Sequence, residues 1–295
     1  IDTSTPLPLS NEELQCLESL LPYANERELE IIEENLLGIL PTEMAKRSPR
    51  RFRDLLLIDC DGTTRSLSEA IEPWQEADFE ALDSAWECML GLRPDAPRAR
   101  GYLERPRGHS KTSDLAVMVS WVLYASKQPI RGVAAAGDKD QAKLLRNAIN
   151  LLVSLNPWLG LDVQNYRVFN PSTGAELEIL SSDEGSSYGE TPHFIIVDEL
   201  THWKRRGLWD SLISAAAKRA RCVVVVIANA GLGLGTSWQW EAREACRTDE
   251  EWYFSRLNGP QASWITQKRL AEQRRLLPGL AYVRLWENRW VADTG

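Results

Sequence analysis

The chain has 295 residues, enough for one large domain or two and for a substantial core. Its 43% hydrophobic content is that of a soluble globular protein, no apolar run reaches the ~18 residues that span a membrane, and a net charge of −8 does not suggest a generic nucleic-acid binder. Five scattered cysteines (Cys16, Cys60, Cys88, Cys222, Cys246) form no C-x-x-C pair, which argues against a zinc ribbon or a disulfide framework and for a reducing cytoplasm, and the three histidines (His109, His193, His202) lack metal-ligand spacing.

In chain order, residues 10–40 read as two short amphipathic helices. Ser10 can cap the first, with Glu13 three residues on, and Leu14, Leu17, Leu20 and Leu21 form its stripe. The second carries Leu29, Ile32, Leu36 and Leu37 and stops at Gly38. A basic loop is expected over 46–53, then a hairpin with its turn at Asp61-Gly62. A helix follows from Pro73 to about Leu90, and a short strand over 101–103.

Residues 111–125 read as a helix with Leu115, Met118, Val119 and Val122 on one face. Strand 130–136, helix 140–155, and strands 162–169 and 175–180 flanking the turn 170–174 come next. After a polar loop, strand 194–197 ends in Asp198-Glu199, helix 208–218 follows, and strand 223–228 runs into Asn229-Ala230-Gly231. Alternating strands and helices predict an α/β fold with a mostly parallel sheet flanked by helices, behind a small N-terminal helical prefix. The expected boundaries are 1–66 for the prefix and hairpin, 67–290 for the main domain, and 291–295 for the start of a linker.

The chemistry centres on Arg105-Pro106-Arg107-Gly108-His109-Ser110-Lys111-Thr112. It matches the phosphate-binding pattern G-x-x-x-x-G-K-[ST] at Lys111-Thr112, with Arg105 and Ser110 in place of the two glycines. In such a loop, backbone amides over 108–112 wrap a triphosphate. The lysine neutralises β/γ oxygens and the threonine hydroxyl holds Mg²⁺. Asp198 and Glu199, at the C-terminal end of an apolar strand, stand where ligands bind in a parallel sheet. They suit a Mg²⁺ carboxylate and a residue that orients or deprotonates an attacking water. A side chain at Ser110 is expected to crowd the phosphate or restrict the backbone.

Two other readings fit parts of the chain. Residues 55–63 match the nucleophile motif of haloacid-dehalogenase-type phosphatases, with Asp59 as phosphoryl acceptor and Asp61 as acid/base. The non-glycine loop also fits a nucleotide-binding assembly module without turnover. Basic clusters over 46–53, 98–107, 204–206 and 274–275 permit DNA contact without showing it.

The order and wording of several segments are similar to one family. Glu72-Pro-Trp-Gln75 precedes the loop, and residues 134–142, 185–189, 195–203 and 227–231 follow it. Over roughly 68–291 the chain resembles the ATPase domain of the large terminase subunit, the genome-packaging motor of tailed bacteriophages. The resemblance implies a P-loop NTPase of the ASCE type, with ATP as substrate and Mg²⁺ as cofactor. It implies that Trp74 and Gln75 recognise adenine, that Arg107 senses the γ-phosphate, and that Lys111 and Glu199 act in hydrolysis. It implies that Thr112 and Asp198 hold Mg²⁺, and that Asn229, Ala230 and Gly231 couple hydrolysis to movement. The implied partners are double-stranded DNA, the portal protein, a small terminase subunit and a homo-oligomeric ring on the procapsid in the host cytoplasm, with no membrane. The chain opens at Ile1 and stops where the family's nuclease would begin, so a fragment is expected, without nuclease activity.

Overall fold

A computed structural model describes residues 41–137, 139–181 and 190–292. The helices expected over 10–40, Asp138 and the segment 185–189 lie outside the described residues.

After a helical stretch over 41–47 come helix α1 (Pro49–Leu55), strands β1 (Leu57–Cys60) and β2 (Thr63–Ser66), the single turn α2 (Leu67–Ala70) and helix α3 (Pro73–Met89). The main sheet begins with β3 (Arg100–Glu104), followed by α4 (Lys111–Ala125), β4 (Arg131–Ala136) and α5 (Lys139–Leu155). Strands β5 (Asp162–Val163), β6 (Arg167–Phe169), β7 (Glu176–Ser181) and β8 (Phe194–Asp198) precede α6 (Gly207–Ala216) and β9 (Val223–Ala228). The last elements are α7 (Trp238–Thr248), β10 (Trp252–Arg256), α8 (Gln267–Leu276) and α9 (Gly279–Leu285).

Eight strands form one sheet in the order β10-β3-β9-β8-β4-β7-β6-β5. The pairs from β10 to β7 are parallel and the β7-β6-β5 edge is antiparallel. Strand β9 separates β3, which leads into the phosphate loop, from β8, which carries Asp198. The central strands are apolar throughout because both of their faces are covered. Along β9, Val223, Val225 and Ile227 join the core under α3, α4 and α5. Val224, Val226 and Ala228 join the opposite core under α6 and α7. This period-2 division is how an uninterrupted apolar run serves two helix layers.

Two expectations are corrected. The basic stretch 46–53 is not a loop: Ser48 caps α1 by accepting from Arg51 N, with Pro49 at its first position. Three of its charges pair within the domain, Arg53 with Asp83, Arg50 with Glu76 and Glu80, and Lys46 with Glu43. Ala45, Phe52 and Leu56 belong to the same buried cluster as α4. The strand expected over 162–169 is two, β5 and β6, which turn back on each other.

The phosphatase reading fails on topology. Asp59 and Asp61 sit on an isolated two-stranded hairpin, whereas that chemistry needs its aspartates at the end of a central parallel strand. Asp61 and Gly62 both have positive φ (57° and 83°), the turn that an Asp-Gly pair favours.

Candidate active site

The C-terminal ends of the adjacent parallel strands β3, β9 and β8 lie side by side. From Glu104 the chain turns through residues 105–110 and enters α4 at Lys111. Ser110, the residue before the helix, is left-handed (φ 47°, ψ 23°), and its side chain makes no capping hydrogen bond. The glycine usual at this place serves that backbone geometry, and a serine there costs about 1–2 kcal/mol.

Glu199 joins the three strand ends. One carboxylate oxygen pairs with Lys111 Nζ at 3.3 Å, and the other accepts from Asn229 N at 3.3 Å. Lys111 also donates to Pro106 O at 3.0 Å. Glu199 is itself left-handed (φ 50°), and its backbone N–H donates to Ile227 O at 2.8 Å, fixing it against β9.

Asp198 is buried at the end of β8, and its Oδ1 has no hydrogen-bond partner. Burial first, and then the neighbouring Glu199, push its carboxyl up to about 7, against the pull of Lys111. A buried carboxylate oxygen without a partner fits a cation ligand. No cluster of three or more His, Cys, Asp or Glu that could hold a metal occurs among the described residues. The donor set of one carboxylate, the Thr112 hydroxyl and substrate phosphates is the kind Mg²⁺ takes.

The sequence model described as "Terminase large subunit, ATPase domain" matches residues 99–245, from β3 through the loop, Asp198, Glu199 and Asn229 into α7. Residues 99–245 belong to the terminase large subunit ATPase domain family. Its fold is similar to the HK97 bacteriophage large terminase, at 16% identity over 82% of this chain and 54% of that one, with a TM-score of 0.66. The large terminase ATPase domain of Thermus phage P74-26 is 15% identical over 69% of this chain and 97% of that one, with a TM-score of 0.54. A large terminase from a further thermophilic bacteriophage, in complex with ADP, is 14% identical over 70% of this chain and 53% of that one, with a TM-score of 0.54. At these identities the shared property is the fold, a P-loop NTPase of the ASCE type with β9 as the additional strand. The chain spans about half the length of the HK97 protein and of the ADP-bound one. No curated protein sequence matches.

Within this terminase domain, other expected site residues fall into two groups. Arg107 is exposed at the loop, and its side chain makes no hydrogen bond or ion pair with a described residue. Gly108 is exposed as well. Arg105 is fully buried and pairs with Asp78 at 2.8 Å and with Asp114, while its guanidinium lies 4.7 Å from the Trp74 ring centroid. Its donors are taken by the framework, which corrects the expectation that it lines the nucleotide.

His109 is also framework. Its Nε2 accepts from Gln261 N and Ala262 N, so the neutral ring donates from Nδ1 to Arg107 O. Burial lowers its pKa in keeping with that state. Gln75 accepts from Glu72 N and donates to Asp114, which leaves it one N–H and one lone pair. Trp74 packs between Arg105, His109 and Trp264. Gln75, Ser110, Ser113 and Asp114 lie along one wall of a cavity of about 680 Å³ beside the first turns of α4.

Asn229 is buried and donates from Nδ2 to Ala230 O, and Ala230 N donates to Asn288 Oδ1 at 2.8 Å. Gly231 has Trp290 against it: a Cβ there would stand 2.7 Å from the indole.

Sequence reasoning stopped at Gly231 and so missed a group of contacts. Trp264 Nε1 donates to Gly108 O at 2.9 Å, and Arg107 N donates to Leu285 O at 2.8 Å. Asn288, buried and left-handed, donates to Glu104 O and Leu257 O. Their sequence signal is weak, since these residues lie beyond the last motif.

Proposed function

We propose that this domain binds ATP with Mg²⁺ and hydrolyses it to drive double-stranded DNA into a procapsid. The observation that carries the reading is Glu199, held between the phosphate-loop lysine and the backbone of Asn229. The match to the terminase ATPase family supports it, as do the complexes of the thermophilic bacteriophage terminase with ADP and ATP-γ-S.

Amides over 108–112 and Lys111 would receive the phosphates, at the N-terminus of α4 where the helix dipole favours anions. Lys111 would then exchange its contacts with Pro106 O and Glu199 for β/γ oxygens. Thr112 and Asp198 would hold Mg²⁺, which when bound neutralises charge developing on the phosphates. Glu199, freed from Lys111 on one oxygen and still bonded to Asn229 N on the other, would accept the proton of the attacking water. Arg107 would reach the γ-phosphate from the loop. The remaining N–H and lone pair of Gln75, beside Trp74, would read adenine. Loss of the γ-phosphate would be felt at Asn229 through Glu199, and from there at Ala230 and Gly231.

The rest of the reading comes from the family: a homo-oligomeric ring on the portal protein in the host cytoplasm, with a small terminase subunit recognising viral DNA. No helix among the described residues is long and apolar enough to cross a membrane. A translocating motor grips phosphates rather than bases. The cluster over 46–53 is poorly placed for that role, since Lys46, Arg50 and Arg53 are ion-paired within the domain.

Glu199→Gln tests the assignment. The amide can keep the hydrogen bond from Asn229 N but cannot take a proton, so steady-state hydrolysis should fall at least about 100-fold while ATP binding persists. Turnover near that of the unmodified protein would refute it.

A further inference from the structure

We propose that Arg284 is a second arginine of the nucleotide site, donating from α9 to the terminal phosphate of ATP bound in the same chain. The inference rests on the ATP reading above and extends its site to an element after the last recognised motif.

Helix α9 is seated directly on the phosphate loop, because Arg107 N donates to Leu285 O at 2.8 Å. The chain beyond it is fixed by Asn288, which donates to Glu104 O and Leu257 O, and by Glu287, which pairs with Arg274. Arg284, next to Leu285, is therefore held at the site by backbone contacts that do not involve its own side chain.

The guanidinium of Arg284 is half-buried, yet it makes no hydrogen bond or ion pair with any described residue. The buried arginines of this domain are paired, Arg53 with Asp83, Arg105 with Asp78 and Asp114, and Arg243 with Glu104, and the half-buried Arg100 lies over the Trp252 ring. A partly desolvated guanidinium left without an acceptor is costly unless something supplies one.

The charges that act on it are those of the site. Burial weakens its hold on the proton, Glu199 opposes this, and Arg107 adds to it. The charges of Glu199, Arg284, Lys111 and Arg107 also act on His202, which follows Glu199 by three residues. Lys111 and Arg107 on the loop and Arg284 on the helix seated against it suit a polyanion, and a guanidinium fork suits phosphoryl oxygens. Glu199 marks the end of the triphosphate at which water attacks, so a donor beside it meets the γ-phosphate and not the α-phosphate.

The test is titration of the full chain with Mg²⁺-ATPγS and, separately, Mg²⁺-ADP. Arg284→Gln should weaken ATPγS binding roughly 10- to 100-fold while ADP binding stays within about twofold, since a charge-assisted hydrogen bond is lost from the terminal phosphate alone. Arg284→Lys, which keeps the charge without the fork, should fall in between. Equal loss for both nucleotides would mean a structural role and overturn the inference, as would unchanged binding of both. If the unmodified chain binds neither nucleotide, the ATP reading itself falls. If it binds both and the Arg284 variants keep the preference for ATPγS, only this inference does.

Discussion

Ser110 shows how one residue can depart from a motif and keep its geometry. The motif calls for glycine because the backbone must turn left-handed before the helix, and Ser110 makes that turn at φ 47°. Since its hydroxyl caps nothing, Ser110→Gly removes the steric cost and adds only the extra entropy of an unfolded glycine. Chemical denaturation should show Ser110→Gly equal to the original or up to about 1 kcal/mol more stable. Ser110→Val, branched at Cβ, should lose about 2 kcal/mol or more.

Asp198 gives a pH signature. Its folded carboxyl is raised from the ordinary aspartate range to about 7, so the folded chain keeps a proton that the unfolded chain has released. This penalises folding increasingly as pH rises from about 4 towards 7. Asp198→Asn should therefore stabilise the nucleotide-free protein, on the order of 2 kcal/mol at pH 8 and much less at pH 5, while abolishing Mg²⁺-dependent turnover. Denaturation at the two pH values checks it. A gain independent of pH would remove the carboxylate as its cause.

The places of Lys111 and Thr112 at the start of α4 and of Asp198 and Glu199 at the end of β8 were legible in the sequence, because element ends follow the hydrophobic pattern. The environments of Arg105, Gln75 and His109 were not. Each lies in or near the motif, but Asp78, Asp114 and residues 261–262 decide where its side chain points, and only the fold brings those together.

Among the elements, the central strands and α4 lay where hydrophobic periodicity put them, because a strand buried on both faces and a helix buried on nearly all sides are written in long apolar runs. The basic stretch 46–53 was misread because charge resembled a loop, although Ala45, Phe52 and Leu56 face the core. The hairpin β1–β2 was read correctly as an element, and its topology is what separates it from a phosphatase nucleophile. Asp59 Oδ1 accepts from Gly62 N at 3.0 Å, a bond that asparagine can keep. Asp59→Asn should leave the melting temperature unchanged and the ATPase rate within about twofold of the original. Loss of turnover would bring the phosphatase chemistry back into consideration.

At the scale of the whole molecule, the loop, the catalytic strand and the C-terminal segment form one connected unit. Glu104, buried at the end of β3, receives Arg243 from α7, Arg256 from β10 and the indole N–H of Trp290. Asn288 bonds Glu104 O, Leu257 O and Ala230 N, and Val291 pairs with Leu232. Glu199 touches Asn229 N, Ala230 N bonds Asn288, and Gly231 lies against Trp290, so contacts run from Glu199 to residues 288–291. The central claim is that one nucleotide site at the C-terminal ends of β3, β9 and β8 drives this unit. A crystal structure with Mg²⁺ and ATPγS tests it most directly. Phosphate density should lie against the amides of residues 108–112 and Lys111, with a metal between Thr112 and Asp198, and with Glu199 parted from Lys111 yet still on Asn229 N. Phosphate density at the Asp59–Asp61 hairpin, with the loop empty, would contradict the account.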